Sequence, residues 1–161
     1  MKPPEQIHPT KLADYLEVLT KTVFESGMSW DVIERKWPGF REAFHAFDPA
    51  TVASLSPDEV DALTGDTRII RNRRKIDATL HNAATMLDLE REHGTFKKYL
   101  ESHGSFDATS ADMRKRFKHV GEFGVFYFLY VVGQPVPDYH EFRAKLDGGK
   151  AQAAPALKPR R

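Results

Sequence analysis

Apolar residues recur along this chain at helical rather than strand spacing. Leu12, Tyr15, Leu16, Leu19 and Val23 stand at i, i+3, i+4, i+7 and i+11, which places them on one face of a first helix. Asp48 followed by Pro49 offers an N-cap with proline at the first helical position. Ser56-Pro57-Asp58-Glu59 is a capping box, with Ser56 as the cap and Glu59 at N3. Each marks the start of a short helix. A longer helix is predicted over 72–92, with Ile76, Leu80, Ala83 and Leu87 as its buried stripe and Gly94 as its stop. Short helices follow near 95–102 and 109–117, and then a nearly all-apolar one. Its aromatic residues Phe123, Phe126, Tyr127, Phe128 and Tyr130 point to all sides, which assigns them mainly to the core. No run of four or more residues alternates apolar and polar between turn signals, as a half-buried strand would. The pattern predicts an all-α protein of about eight helices without internal repeats.

Composition narrows the class. A chain of 161 residues, 40% of them hydrophobic, can bury one core. The expected organisation is a domain over 1–146 and a flexible basic tail over 147–161, whose "DGGKAQAAPALKPRR" lacks periodicity. Cysteine is absent, which rules out disulfides and thiolate metal sites and is compatible with a reducing compartment. The N-terminus carries no apolar run of the signal-peptide type, and no stretch approaches the roughly 20 apolar residues of a membrane span. The expectation is a soluble, cytoplasmic monomer with no membrane contact.

A net charge of +1 says little about partners, but the distribution of charge does. Arg68, Arg71, Arg73, Arg74 and Lys75 form one acid-free cluster, and Arg114, Lys115, Arg116 and Lys118 form another. Taken singly, each reads as a solvated helix end. Together they bracket "HVGEFG", where Gly121 and Gly124 allow an unusual backbone path and a new helix starts at once. Backbone N–H groups at that helix start can meet a phosphate. Such a grip reads the nucleic-acid backbone, not the base sequence.

The run "SGMSWDVIERKWPGFREAFHAFDPATVASLSPDEVDAL", followed by "IIRNRRKIDATLHNA", closely resembles the 3-methyladenine DNA glycosylase I family. Members of that family carry a Gly-Leu-Ser-Trp stretch, a Phe-Asp-Pro turn and an Ile-Ile-Arg-Asn-Arg-x-Lys-Ile segment. The later "RFKHVGEFGVFYFLYVVG" looks like the family's hairpin and following helix, so the match covers roughly 20–133. The resemblance implies a helix-hairpin-helix DNA glycosylase fold, two small lobes around a cleft, acting on double-stranded DNA with damaged bases. It implies phosphate contacts from Arg71, Arg73, Lys75, Lys118, Gly121 and Gly124, stacking of the flipped base on Trp30, and a gap-filling loop of Gly27, Met28 and Ser29.

Departures from the family are equally informative. The family clamps its termini with zinc held by two Cys and two His, so a chain without Cys is expected to bind no structural zinc and to need no cofactor. The family's Tyr-His and Glu-Trp-Gly segment is not found in this sequence, and with it goes an aromatic pocket residue. Aligned on Trp30, the family's base-reading Glu is replaced by Thr22, while Glu25 lies one turn further along. Glu25 is therefore the candidate substitute. Beyond the hairpin helix, "GQPVPDYHEFR" looks more like other branches of the superfamily, in which Val-Asp-x-His-x-x-Arg supplies the catalytic aspartate. That makes Asp138 the catalytic candidate, with His140 as an orienting neighbour. The same residues also read as a helix N-cap, with Glu141 at N3. Members that also cut the backbone carry a Lys at the position of Phe123, which implies a monofunctional hydrolase here. His45, His81 and His93 are scattered and read as ordinary helix residues.

Three functions stay open at this level. The first is a glycosylase of base excision repair that hydrolyses the N-glycosidic bond of alkylated purines. The second is a noncatalytic damage-binding module that keeps the hairpin grip. The third is an α-helical protein-interaction domain, which salt-insensitive binding would reveal.

Overall fold

The computed structural model describes residues 3–153, and among them every regular element is helical. In chain order these are α1 (Leu12–Glu25), α2 (Trp30–Ala43), a one-turn segment His45–Phe47, α3 (Pro49–Ala53), α4 (Pro57–Leu63) and α5 (Arg73–His93), followed by α6 (Phe96–Leu100), α7 (Phe106–Arg116), α8 (Glu122–Val131) and α9 (Tyr139–Ala153). Helix α1 sits at the junction of the fold and touches α2, α3, α5 and α8. Its predicted stripe is buried from Tyr15 onward, with Leu16, Leu19 and Val23 fully enclosed, while Leu12 is half-buried.

The predicted start signals act as written. Asp48 caps α3 by accepting from the Thr51 N–H at 3.1 Å, and Ser56 and Glu59 exchange reciprocal bonds at 3.1 and 3.0 Å. Gly94 ends α5 with φ +89°, a backbone state that favours glycine. The expected stripe of α5 needs correction. Leu80 and Leu87 are half-buried, whereas Ile76, Thr79, Asn82, Ala83, Met86 and Leu89 are enclosed. Neighbours pack on α5 from α1, α3, α4 and α6, so its buried face is broader than one stripe. Helix α7 begins earlier than expected because Ser105 caps it through the Ala108 N–H at 3.1 Å.

Between α2 and α3 the backbone turns left-handed at three successive non-glycine residues, His45, Ala46 and Phe47, with φ of 54°, 55° and 59°. That conformation costs about 1–2 kcal/mol per residue. Burial of Phe47 offsets it: the ring is fully enclosed, stacked 5.4 Å from Trp37 and 5.8 Å from Phe44.

Helix α9 runs to Ala153, past position 147 where the tail was expected to begin, and 154–161 lie outside the described residues. At the other end, Ile7 donates its N–H to the Val131 carbonyl at 2.8 Å, and Gln6 donates to the Tyr130 carbonyl at 2.9 Å. The N-terminal segment is thereby fastened to the end of α8. Thiolates are absent from the sequence, and among the described residues no three His, Asp or Glu side chains converge. Among them, too, no helix is long and apolar enough to cross a membrane.

Candidate active site

The end of α1, the 26–29 loop and the start of α2 face α8 across a cavity of about 410 Å³. Thr22, Glu25, Trp30, Phe123, Gly124 and Tyr127 line it, together with the Gly27 and Met28 backbone path. Helices α1 and α8 approach closely because Gly124 has no side chain: a Cβ there would lie 3.0 Å from Thr22 Cγ2. Gly124 was expected on a phosphate. Its place is at this helix crossing, and a side chain there would fill the cavity. The Thr22 hydroxyl donates to the Val18 carbonyl at 3.0 Å, so Thr22 offers the site its methyl group.

Trp30 opens α2 and is 38% exposed, which frees one side of its ring. Its other contact is edge-to-face with Tyr127, centroids 4.9 Å apart, and Tyr127 in turn leans on Phe123 at 5.0 Å. Tyr127 and Phe123 were assigned mainly to the core. Both are half-buried wall residues instead, one helical turn apart on α8. Their i, i+4 spacing was legible in the sequence, but uniform hydrophobicity hid which face of α8 stays open. Gly27, at φ +74°, turns the chain in the 26–29 loop, where Met28 is half-buried and Ser29 is exposed. Ser29 is the N-cap residue of α2.

Glu25 brings a carboxyl group into this largely apolar space. Burial pushes its pKa up to about 7, with Glu34 adding to the rise and Lys21 opposing it. Lys21 is engaged with Glu34 at 2.6 Å, and among the described residues no donor meets the Glu25 carboxyl group. The group is thus poised to be half protonated near neutral pH.

Asp138 lies in a neighbouring cleft of about 620 Å³ that also contains Tyr130, Tyr139, His140 and Pro4, and Tyr127 lines both spaces. Asp138 Oδ2 accepts from the backbone N–H groups of His140 and Glu141 at 3.0 and 3.2 Å, which caps α9. The cap reading of Asp138 is therefore realised, and it holds the carboxylate in one orientation. His140 contributes its backbone amide to that arrangement.

The basic clusters divide sharply. Arg71 and Lys118 are exposed, and among the described residues neither makes an ion pair. Arg73 is paired with Asp61 at 2.9 Å and Asp77 at 3.3 Å. Lys75, expected on a phosphate, is 6% exposed, and its ammonium group binds the carbonyls of Phe24 and Ser26. In the hairpin the left-handed residue is His119, at φ +61°, while Gly121 is extended and has open space above it. This corrects the expected role of the glycine: it leaves room for close backbone approach instead of making the turn. The hairpin is held against α5 by Asn82, which accepts from the Lys118 N–H at 2.8 Å and donates to the Lys118 carbonyl at 3.2 Å. Sequence reasoning passed over Asn82. A polar residue within an otherwise buried helical face was the available signal.

A helical fold with a basic hairpin, followed by a helix that walls an aromatic cavity holding one carboxyl group, defines the helix-hairpin-helix DNA glycosylase class. Residues 9–122 match the methyladenine glycosylase family, and the chain belongs to that family. It is similar to DNA-3-methyladenine glycosylase 1 of Escherichia coli, at 30% identity over 68% of this chain and 70% of the relative. A DNA-3-methyladenine glycosylase of Haemophilus influenzae is 33% identical over 48% of this chain and 42% of its own length. Among solved structures, a 3-methyladenine DNA glycosylase I in complex with 3-methyladenine superposes with a TM-score of 0.71 at 26% identity, covering 80% of this chain and 81% of the other. A Staphylococcus aureus enzyme of the same name gives 0.67 at 25% identity, covering 82% and 79%.

Proposed function

We propose that this chain is a monofunctional DNA glycosylase of base excision repair that removes alkylated purines, such as 3-methyladenine, from double-stranded DNA. The observation that carries this reading is the Glu25 carboxyl group, raised to about 7 inside a cavity walled by Trp30 and Tyr127. A flipped purine stacks on the exposed Trp30 ring, and a neutral Glu25 donates a hydrogen bond to an acceptor on the base edge. The 26–29 loop, with Met28, fills the gap left in the duplex. Arg71, Lys118 and the open backbone at Gly121 grip phosphates.

A purine alkylated at N3 or N7 is cationic while still attached to the sugar. Heterolysis of the N-glycosidic bond sends the bonding pair to the base, which leaves neutral, and the positive charge passes to the sugar. Water then adds at the anomeric carbon and releases one proton to solvent. The chemistry needs a fixed anion near the sugar more than it needs an acid. Asp138 supplies that anion, because its cap bonds hold it rigid without neutralising it. Phe123 occupies the place where a Schiff-base lysine would stand, which supports hydrolysis without strand cleavage.

The test is single-turnover release of 3-methyladenine and 7-methylguanine from methylated duplex DNA, by the wild type and by Asp138→Asn. Asparagine keeps a capping oxygen but removes the charge. Release by the wild type and its collapse in the variant supports the reading. No release by the wild type, with salt-sensitive binding to damaged duplex retained, would replace it with a noncatalytic damage-binding module.

A further inference from the structure

Lys75 is the one formally charged side chain among the buried residues described. It belongs to the first turn of α5, where its backbone N–H is capped by Asn72 Oδ1 at 3.1 Å. Its Nζ donates to the Phe24 carbonyl at 3.1 Å and to the Ser26 carbonyl at 2.6 Å, and it lies 6.0 Å from the centre of the Phe24 ring. Those two carbonyls bracket Glu25. They belong to the C-terminal turn of α1, the negative end of that helix, where a cation satisfies groups that have no partner within the helix. Among the described residues no carboxylate pairs with this ammonium ion. Burying such a charge is unfavourable, and an apolar side chain of similar volume would serve packing alone at least as well. The charge is therefore explained by what it holds.

We propose that Lys75 is a positioning residue: its ammonium group clamps the backbone on both sides of Glu25, and so aims the Glu25 carboxyl group and the 26–29 loop into the cavity. The proposal deepens, and rests on, the reading of that cavity as the base pocket. The clamp ties the pocket to α5, the same helix on which Asn82 seats the DNA-gripping hairpin. One helix thereby sets the registry between backbone grip and base pocket, and Lys75 makes the pocket end of that connection. Misplacing a pocket group by about 1 Å can cost about 10²-fold in rate without abolishing binding.

The absence of cysteine from the chain makes a clean charge swap possible. A Lys75→Cys protein is unfolded, alkylated and refolded. Bromoethylamine restores an ammonium ion at nearly lysine length, and bromopropane gives the neutral counterpart. The expected result is a release rate at saturating DNA that is lowered by about 10²-fold in the propyl form and recovered in the aminoethyl form, with DNA affinity alike in both. Amide exchange gives a readout independent of activity. The N–H groups of Ser26 and Met28, bonded to Val23 and Glu25 carbonyls, exchange faster in the propyl form and regain protection in the aminoethyl form, while the core of α5 stays unchanged. Equal release and equal protection in the two forms would overturn the proposal. So would a loss of DNA affinity at unchanged release rate, which would return Lys75 to the phosphates. Lys75→Met, expressed without refolding, supplies the same neutral comparison if the alkylated proteins do not refold. A Glu25→Gln protein with wild-type release would sink the base-pocket reading alone, because the exchange data still report on the clamp.

Discussion

The two carboxyl groups on either side of Tyr127 are held in opposite ways. Glu25 is half-buried in an aromatic cavity without a hydrogen-bond donor among the described residues, and its pKa is pushed up to about 7. Asp138 is exposed and fixed by two backbone amides at the start of α9. Removing water from one carboxyl makes it a proton holder, and two backbone amides fix the other in one orientation. In the proposed function one of them reads the base and the other stabilises the sugar cation. The comparison shows that residue type alone does not fix how a carboxyl group is held.

The strongest way to break this division is Asp138→Asn. Loss of a preorganised charge at the reacting centre is expected to slow release by about 10²–10³-fold, with the thermal midpoint nearly unchanged because asparagine still caps the helix. Unchanged release would leave Asp138 a cap alone. Next in size is Trp30→Ala. Removing a stacking platform costs about 1–3 kcal/mol per base, so binding of free 3-methyladenine or of lesion DNA should weaken by roughly 5- to 150-fold, as read by isothermal titration.

Glu25→Gln sharpens the other side of the comparison. Release by the wild type should fall as pH rises through about 7, where Glu25 loses its proton, and this limb should vanish in the variant. Stability follows the same titration. The folded-state value of about 7 lies above the ordinary 4.5, so the folded chain binds the extra proton in that interval. Its stability therefore declines as pH rises from about 4.5 to about 7. Glutamine removes that decline and should raise stability at pH 8 by at most about 3 kcal/mol in denaturant titrations. The smallest effects belong to the hairpin side: Arg71→Ala and Lys118→Ala should each lower the salt slope of DNA binding by about 1, evenly across sequences.

Much of this architecture was legible in the chain. The stripe of α1 and the Asp48 and Ser56 caps follow from interactions within a turn or two, which periodicity and capping patterns report directly. Glu25, Trp30 and Thr22 were expected around one pocket, and the structure does bring them to one cavity. The placement of Lys75, Gly124 and Tyr127 was not legible. Lys75 sits in a run of five cations that look alike in sequence, yet among the described residues one is buried, one is held between two acids, one pairs with Asp66 and two make no ion pair. Gly124 reads as a hairpin glycine until α1 is known to cross it.

The sequence by itself determined an all-helical fold, several of its helix starts and the identity of its candidate carboxyl groups, because those rest on local spacing and side-chain chemistry. Only the tertiary structure decided which carboxyl group loses water, which cations keep it, and which aromatic rings face a cavity. Desolvation is set by the segments that pack around a group, and the walls around Glu25 come from α8, far along the chain.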